Sequence, residues 1–268
     1  MKIHYMAEAQ TDIGLVKQVN QDSLTVKVVD TYLGEVTFAV MCDGMGGLTK
    51  GELASAIVVR AFEEWFMEKL PYQLKDITAE MLKAEWEKLV SECNDRIRRQ
   101  GSQNMGTTLT AMLFFAETYY IIHVGDCRAY ELTSEVFQLT KDQTFVEREV
   151  ACGRMTKEQA RTDSRRNVLL QCIGVKEEVE PEFMTGKLVP GACYLLCSDG
   201  FRHEVSRKEI LEVVEEKVWE LIQKQQSESK IMTGMKMALD MLIEKAKERG
   251  ERDNISGILI QTLEEETC

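Results

Sequence analysis

Apolar residues along this chain follow two rhythms. Short runs rich in β-branched and aromatic residues occupy positions 23–29, 36–42, 108–115, 119–124, 128–132, 193–198 and 254–261, and such runs predict strands. A period near 3.6 takes over at Ala54, Val58, Ala61, Phe62 and Trp65, across 82–99, and at Met235, Leu239, Leu242, Ile243 and Ala246, which predicts three long helices. A fourth helix is expected from Ser206 to about Val218, because Glu209 stands three residues after Ser206 as in a capping box. Strands arrive in hairpin-like clusters and helices in separate blocks, so antiparallel sheet covered by helices is the expected α+β architecture.

Composition narrows the class. The 268 residues carry no Pro/Gly/Ser-rich linker, no repeat and only three prolines, so one folded domain over 1–268 is expected. The longest purely apolar run, 111–116, is far below spanning length and no leader-like segment opens the chain, so neither a membrane span nor export is expected. Several of the eight cysteines (Cys42, Cys172, Cys193, Cys197) sit inside apolar runs and read as buried free thiols in a reducing cytoplasm. A net charge of −12 argues against nucleic acid as a partner and favours cations.

Four aspartates share one local design. Asp43, Asp126, Asp199 and Asp253 each stand where an apolar strand stops or starts, beside or close to a glycine or asparagine. A lone Asp-Gly is ordinarily a turn. Several carboxylates brought together, by contrast, repel one another unless a cation neutralises them, and oxygen ligands without a His/Cys cluster suit Mg²⁺ or Mn²⁺ rather than zinc.

The surrounding blocks carry a resemblance. Phe-Ala-Val-Met-Cys-Asp-Gly-Met-Gly-Gly-Leu-Thr-Lys-Gly-Glu-Leu-Ala-Ser (38–55), Gly-Thr-Thr-Leu (106–109), His-Val-Gly-Asp-Cys-Arg-Ala-Tyr (123–130), Leu-Thr-Lys-Asp (139–142), Leu-Leu-Cys-Ser-Asp-Gly (195–200) and Arg-Asp-Asn-Ile-Ser (252–256) resemble, in order, the metal-dependent Ser/Thr protein phosphatases of type 2C in their bacterial form. The resemblance implies a four-layer αββα sandwich and hydrolysis of phosphoserine and phosphothreonine by a water activated between two Mn²⁺ or Mg²⁺ ions. It implies that Asp43 bridges the ions, that the Gly44 carbonyl holds the first and Asp199 and Asp253 the second, and that Asp126 with Asp199 holds a third. Asp22 and Asn254 would support these ligands, and Glu52 would either do so or cap the following helix. Glycines 44, 46 and 47 would let the backbone approach the ions. Phosphorylated substrates of a bacterial Ser/Thr kinase would be the partners of a cytoplasmic monomer.

The pattern is broken in places. Within Gly-Leu-Val-Lys-Gln-Val-Asn-Gln-Asp (14–22), Lys17 replaces the family's phosphate-binding arginine and Gln21 a glutamate, while Gln143 stands where a histidine is common. A lysine offers a point charge in place of a two-pronged fork, so weaker phosphate binding is expected. Met45 is typical of the bacterial branch. Among His4, His123 and His203 no general acid is evident, and His123 reads as structural. Residues 141–166 correspond to the family's flap, where Arg154, Arg161, Arg165 and Arg166 either steer a phosphoprotein or form an ordinary solvated helix face.

Three rivals are weighed against this reading. Cys93 and Arg99 satisfy the Cys-x5-Arg spacing of cysteine-based phosphatases, but Asn94 to Arg98 lacks the glycines of a phosphate cradle and belongs to a helical pattern. A phosphoprotein-binding pseudophosphatase and a hydrolase of small phosphorylated metabolites remain as alternatives.

Overall fold

The computed structural model describes residues 3–45, 50–100 and 105–264. Gly46 and Gly47 of the expected metal loop lie outside the described residues. The strands are β1 (Ile3–Asp12), β2 (Asp22–Thr31), β3 (Gly34–Met45), β4 (Gly106–Thr107), β5 (Leu109–Phe115), β6 (Thr118–Val124), β7 (Arg128–Leu132), β8 (Val136–Gln138), β9 (Glu182–Lys187), β10 (Cys193–Cys197) and β11 (Ile255–Glu264). The helices are α1 (Gly51–Glu68), α2 (Leu70–Gln73), α3 (Ala79–Gln100), α4 (Phe145–Ala151), α5 (Lys157–Thr162), α6 (Asp199–His203), α7 (Arg207–Val214), α8 (Glu220–Gln223) and α9 (Glu228–Glu248), with a π-helical turn at Glu215–Trp219 between α7 and α8.

Among the described residues the strands form two sheets, β1-β11-β10-β7-β8 and β2-β3-β5-β6-β9, with β4 beside β3. Side-chain alternation in β3 shows why they stack. Val36, Phe38, Val40 and Cys42 point into a core shared with α1 and α3, whereas Ala39 and Met41 join Met112, Phe114, Ala129, Tyr194, Leu196 and Ile258 between the sheets. The opposite face of the first sheet, including Tyr130, Leu195, Cys197 and Leu259, packs on α7 and α9 through Ile210, Val214, Met235, Leu239 and Leu242. Helix, sheet, sheet and helix are thus held by three apolar seams, the expected αββα sandwich. Phe38 anchors the outer seam, with ring centroids 5.0 Å from Phe66, 5.7 Å from Trp65 and 6.0 Å from Trp86.

The capping box predicted at Ser206 forms, Glu209 N donating to Ser206 Oγ at 3.3 Å and Ser206 N to Glu209 Oε2 at 3.0 Å. The helix it starts runs further than expected, through the π-helical turn into α8. Strands β1, β8 and β9 extend the predicted set. All three lie at sheet edges or lead to them, where one flank is open and the alternation of apolar residues is diluted.

Candidate metal centre

The site assembles where strand ends from both sheets meet. Asp22 opens β2 and Asp43 lies near the end of β3, and the antiparallel register sets them directly opposite each other. Asp199 follows β10 as the first residue of α6, Asp253 precedes β11, and Asp126 follows β6 through Gly125. Gly125 has φ +104°, a conformation that favours glycine and turns the chain toward the cleft. Gly44 is required for a different reason, since a Cβ there would meet the carbonyl oxygens of Gly51 and Gln21.

Neighbouring threonines fix Asp43 in place. Its N–H donates to Thr108 Oγ1 at 2.8 Å, and its carbonyl accepts from Thr107 Oγ1 and Thr108 N, both at 2.9 Å. Burial pushes the Asp43 carboxyl well above the usual range, and the charges of Asp22, Asp199, Asp126 and Asp253 raise it further. Asp22 is pushed up to about 7, first by burial and then by Asp199 and Asp253, against the 2.6 Å hydrogen bond from Ser256 Oγ. Asp126 also rises to about 7, through burial and then the charge of Asp199, with Arg202 opposing. One buried oxygen, Oδ1 of Asp199, has no hydrogen-bond partner.

Each of three carboxylates has a cationic or basic side chain beside it. Lys17 Nζ is 2.7 Å from Asp253 Oδ1, and Arg202 Nη2 is 3.2 Å from Asp126 Oδ2. His203 stands with Nε2 3.8 Å from Asp199 Oδ2 and Nδ1 3.4 Å from Glu251 Oε2. Among the described residues no three acidic, histidine or cysteine side chains stand close enough to enclose an ion as they lie. The donor chemistry nevertheless suits a hard divalent cation: mutually repelling carboxylates at strand ends and an unpartnered buried oxygen on Asp199.

The supporting residues act through backbone. Asn254 Oδ1 accepts from Gln21 N at 2.9 Å, while its Nδ2 donates to the carbonyls of Ile13 and Val19 at 2.9 and 3.2 Å. It therefore pins both ends of the loop that carries Lys17, and its own N–H donates to Asp253 Oδ1 at 2.8 Å. Gln21 contributes its carbonyl, which accepts from Gly44 N at 3.1 Å and Ser55 Oγ at 2.6 Å; this explains how the position tolerates glutamine. Gln143 Oε1 accepts from Gly125 N at 2.8 Å and Gln143 N donates to Gly125 O at 2.7 Å, so it braces the Asp126 turn. Glu52 lies in the first turn of α1, whose N-cap residue, Lys50, makes no side-chain capping bond. His123 is buried, with Nδ1 2.9 Å from Thr110 Oγ1 and Nε2 3.0 Å from Gly125 O, as its structural reading requires.

A cleft of about 970 Å³ lies beside the flap and is lined by Arg161, Arg166, Arg202, His203 and Arg207 among others. Smaller space continues past Arg166 and His203 to Lys17 and Asp253. The four flap arginines divide here. Arg154 is paired with Glu149, and Arg165 is paired with Asp163 and stacked on Phe145 at 4.3 Å, whereas Arg161 and Arg166 face the cleft. The Cys-x5-Arg rival has no geometry to stand on. Cys93 is buried in α3, its thiol pushed up to about 12 first by burial, while Arg99 lies exposed and paired with Asp95.

Arg202 and Glu251 carry no sequence signal of their own, and His203 gives none as a general acid. The spacing Asp199, His203 is i, i+4, which on a helix places both on one face and is the signal by which the sequence pairs them.

Comparison with known proteins gives the family. The profile of the family described as Protein phosphatase 2C matches residues 15–240. A serine/threonine protein phosphatase PstP of Mycobacterium tuberculosis is 36% identical over 213 residues, covering 77% of this chain; the chain spans only 38% of that relative's length. A serine/threonine phosphatase stp of Listeria innocua is 30% identical over 95% of both chains. The solved catalytic domain of PstP in complex with 2 manganese ions superimposes with TM-score 0.74 at 31% identity, covering 98% of this chain and 100% of that one. Strand-end aspartates, the αββα frame and these matches together lead to one conclusion: the chain belongs to the protein phosphatase 2C family.

Proposed function

We propose that this chain hydrolyses phosphoserine and phosphothreonine in proteins, using two divalent ions, Mn²⁺ or Mg²⁺, held by Asp43, Asp199 and Asp253 with the Gly44 carbonyl. The observation that carries the reading is the gathering of carboxyls at these strand ends, where Asp43 is raised first by burial and then by the charges of Asp22, Asp199, Asp126 and Asp253, while Asp199 Oδ1 is left unpartnered, an arrangement that is costly unless cations neutralise it. When bound, two such ions lower the proton affinity of a shared water enough for it to attack phosphorus near neutral pH.

The chain's own residues supply the rest. Thr107 and Thr108 hold Asp43 by its backbone, Asn254 holds Asp253 and the Lys17 loop, and Asp22 is held by Ser256. Lys17 lies close enough to receive a substrate phosphate, provided its ammonium leaves Asp253. Arg161 and Arg166 present positive charge on the approach. The substrates would be phosphoproteins made by a Ser/Thr kinase.

A phosphothreonine peptide assayed with Mn²⁺, with EDTA and with Asp199→Asn tests the reading. Turnover with Mn²⁺ that EDTA and the substitution both abolish is expected; turnover that persists in EDTA would overturn it. The Lys17–Asp253 ion pair favours a second reading, a phosphoprotein-binding module with weak metal affinity. That reading predicts binding of the peptide without turnover at any Mn²⁺ concentration.

A further inference from the structure

Next to the proposed two-ion site, one nitrogen stands within reach of three oxygens. Arg202 Nη2 donates to the carbonyl oxygen of Asp126 and to its Oδ2, both at 3.2 Å, and lies 3.3 Å from Oδ2 of Asp142. Asp142 is held in turn by Arg128, whose Nε and Nη2 reach its two oxygens at 2.7 Å each, while Arg128 Nη1 donates to Tyr130 OH at 2.9 Å. The Arg202 side chain is 11% exposed and those of Asp126 and Asp142 are 7% and 9% exposed. Two guanidinium charges therefore balance two carboxylates inside the protein, and Asp199 adds a further negative charge felt by Arg202.

Two carboxylates and a carbonyl converging on one position form the donor set of a hard divalent cation. The family resemblance places a third ion on Asp126 and Asp199, but Asp126 turns its carbonyl and Oδ2 toward Arg202, so an ion there would share those oxygens with a buried guanidinium and the residues do not fit it. We propose that the Arg202 guanidinium takes the place of the third ion, leaving this phosphatase with two exchangeable metals and one fixed positive charge. An arginine stays charged at every working pH and cannot be chelated. A divalent ion brought onto Asp126 would meet that buried charge at contact distance and lose the oxygens already engaged.

The local sequence makes the device possible. Arg202 lies in α6, three residues after Asp199, so the turn that delivers a metal ligand also delivers the guanidinium toward the Asp126 loop. Gly125 and Gln143 hold that loop in position to receive it. The inference rests on the two-ion reading above, and the experiment separates their failures.

Crystals of the full chain soaked in millimolar Mn²⁺ would be measured at the manganese absorption edge, alongside calorimetric titration with Mn²⁺. Two anomalous peaks near Asp43, Asp199 and Asp253 and none at Asp126 are expected. A third peak on Asp126 in the wild-type protein overturns the proposal, and the absence of any peak overturns the two-ion reading instead. Arg202→Ala and the bulkier Arg202→Gln should each acquire an additional weak site, seen as a rise in stoichiometry from two to three, which Asp126→Asn in the same background removes. Arg202→Lys should retain two. A folded Arg202→Ala protein that still binds only two ions also sinks the idea; if neither neutral variant folds, the wild-type map alone decides.

Discussion

Lys17 and His123 show how much a single residue's surroundings decide. Lys17 is half-exposed and sits on Asp253, so its charge is already engaged by a carboxylate. An arginine there can hold the carboxylate with one edge and phosphate with the other. Lys17→Arg is expected to lower the Michaelis constant for a phosphothreonine peptide roughly three- to tenfold with little change in turnover; an unchanged Michaelis constant would remove Lys17 from the phosphate grip. His123 offers a test in pH. Burial lowers its pKa from the ordinary 6.5, so below that value the unfolded chain takes up a proton that the folded chain refuses. Stability contributed by the neutral ring is therefore present at higher pH and is lost as pH falls below 6.5. His123→Gln should flatten the fall in melting temperature between about pH 7.5 and about pH 5.5 relative to wild type, by differential scanning fluorimetry.

At the scale of elements, buried polar groups join segments that hydrophobic pattern alone leaves unconnected. Asn94 faces inward from α3, accepting from Gly174 N at 2.7 Å and donating to the carbonyls of Lys176 and Glu177 at 3.0 and 3.1 Å. The chain leaving the flap is thereby tied to the outer helix layer. Asn94→Ala orphans a buried N–H and is expected to cost about 3 kcal/mol in urea unfolding; a loss below about 1 kcal/mol would mean that water replaces the amide. The Ser206 cap is an independent check on α7. Ser206→Ala should cost about 1 kcal/mol by the same measurement, less if the Arg249–Glu209 ion pair holds the first turn unaided. Strands β2, β3, β5, β6, β7, β10 and β11 were legible because β-branched and aromatic residues run through them. β1 was not, since Ile3–Asp12 mixes polar and apolar residues and becomes a strand by pairing with β11 along its whole length.

For the whole molecule, the proposed two-ion reading couples folding to metal. Ions that bind only the folded state add stability by mass action, about 2.7 kcal/mol per ion at about a hundred times its dissociation constant. Millimolar Mn²⁺ should therefore raise the melting temperature by several degrees, EDTA should reverse the rise, and Asp43→Asn should abolish most of it. A melting temperature insensitive to Mn²⁺ in the wild-type chain would contradict a metal site at these aspartates. The flap and α7, far apart in the chain, both border the 970 Å³ cleft.

Sequence alone determined that antiparallel sheet is covered by helices, and through the family resemblance it implied the four layers and the ligand set. Alternating and helical periods mark which faces must be buried, and Asp43, Asp126, Asp199 and Asp253 announce themselves by standing at the ends of apolar runs. Tertiary structure decided what those carboxylates touch. That Lys17 lies on Asp253, Arg202 on Asp126 and His203 between Asp199 and Glu251 depends on contacts between segments up to 236 positions apart in numbering, as Lys17 and Asp253 are. No local pattern encodes such distances; they follow only when two sheets stack and bring their strand ends to one cleft.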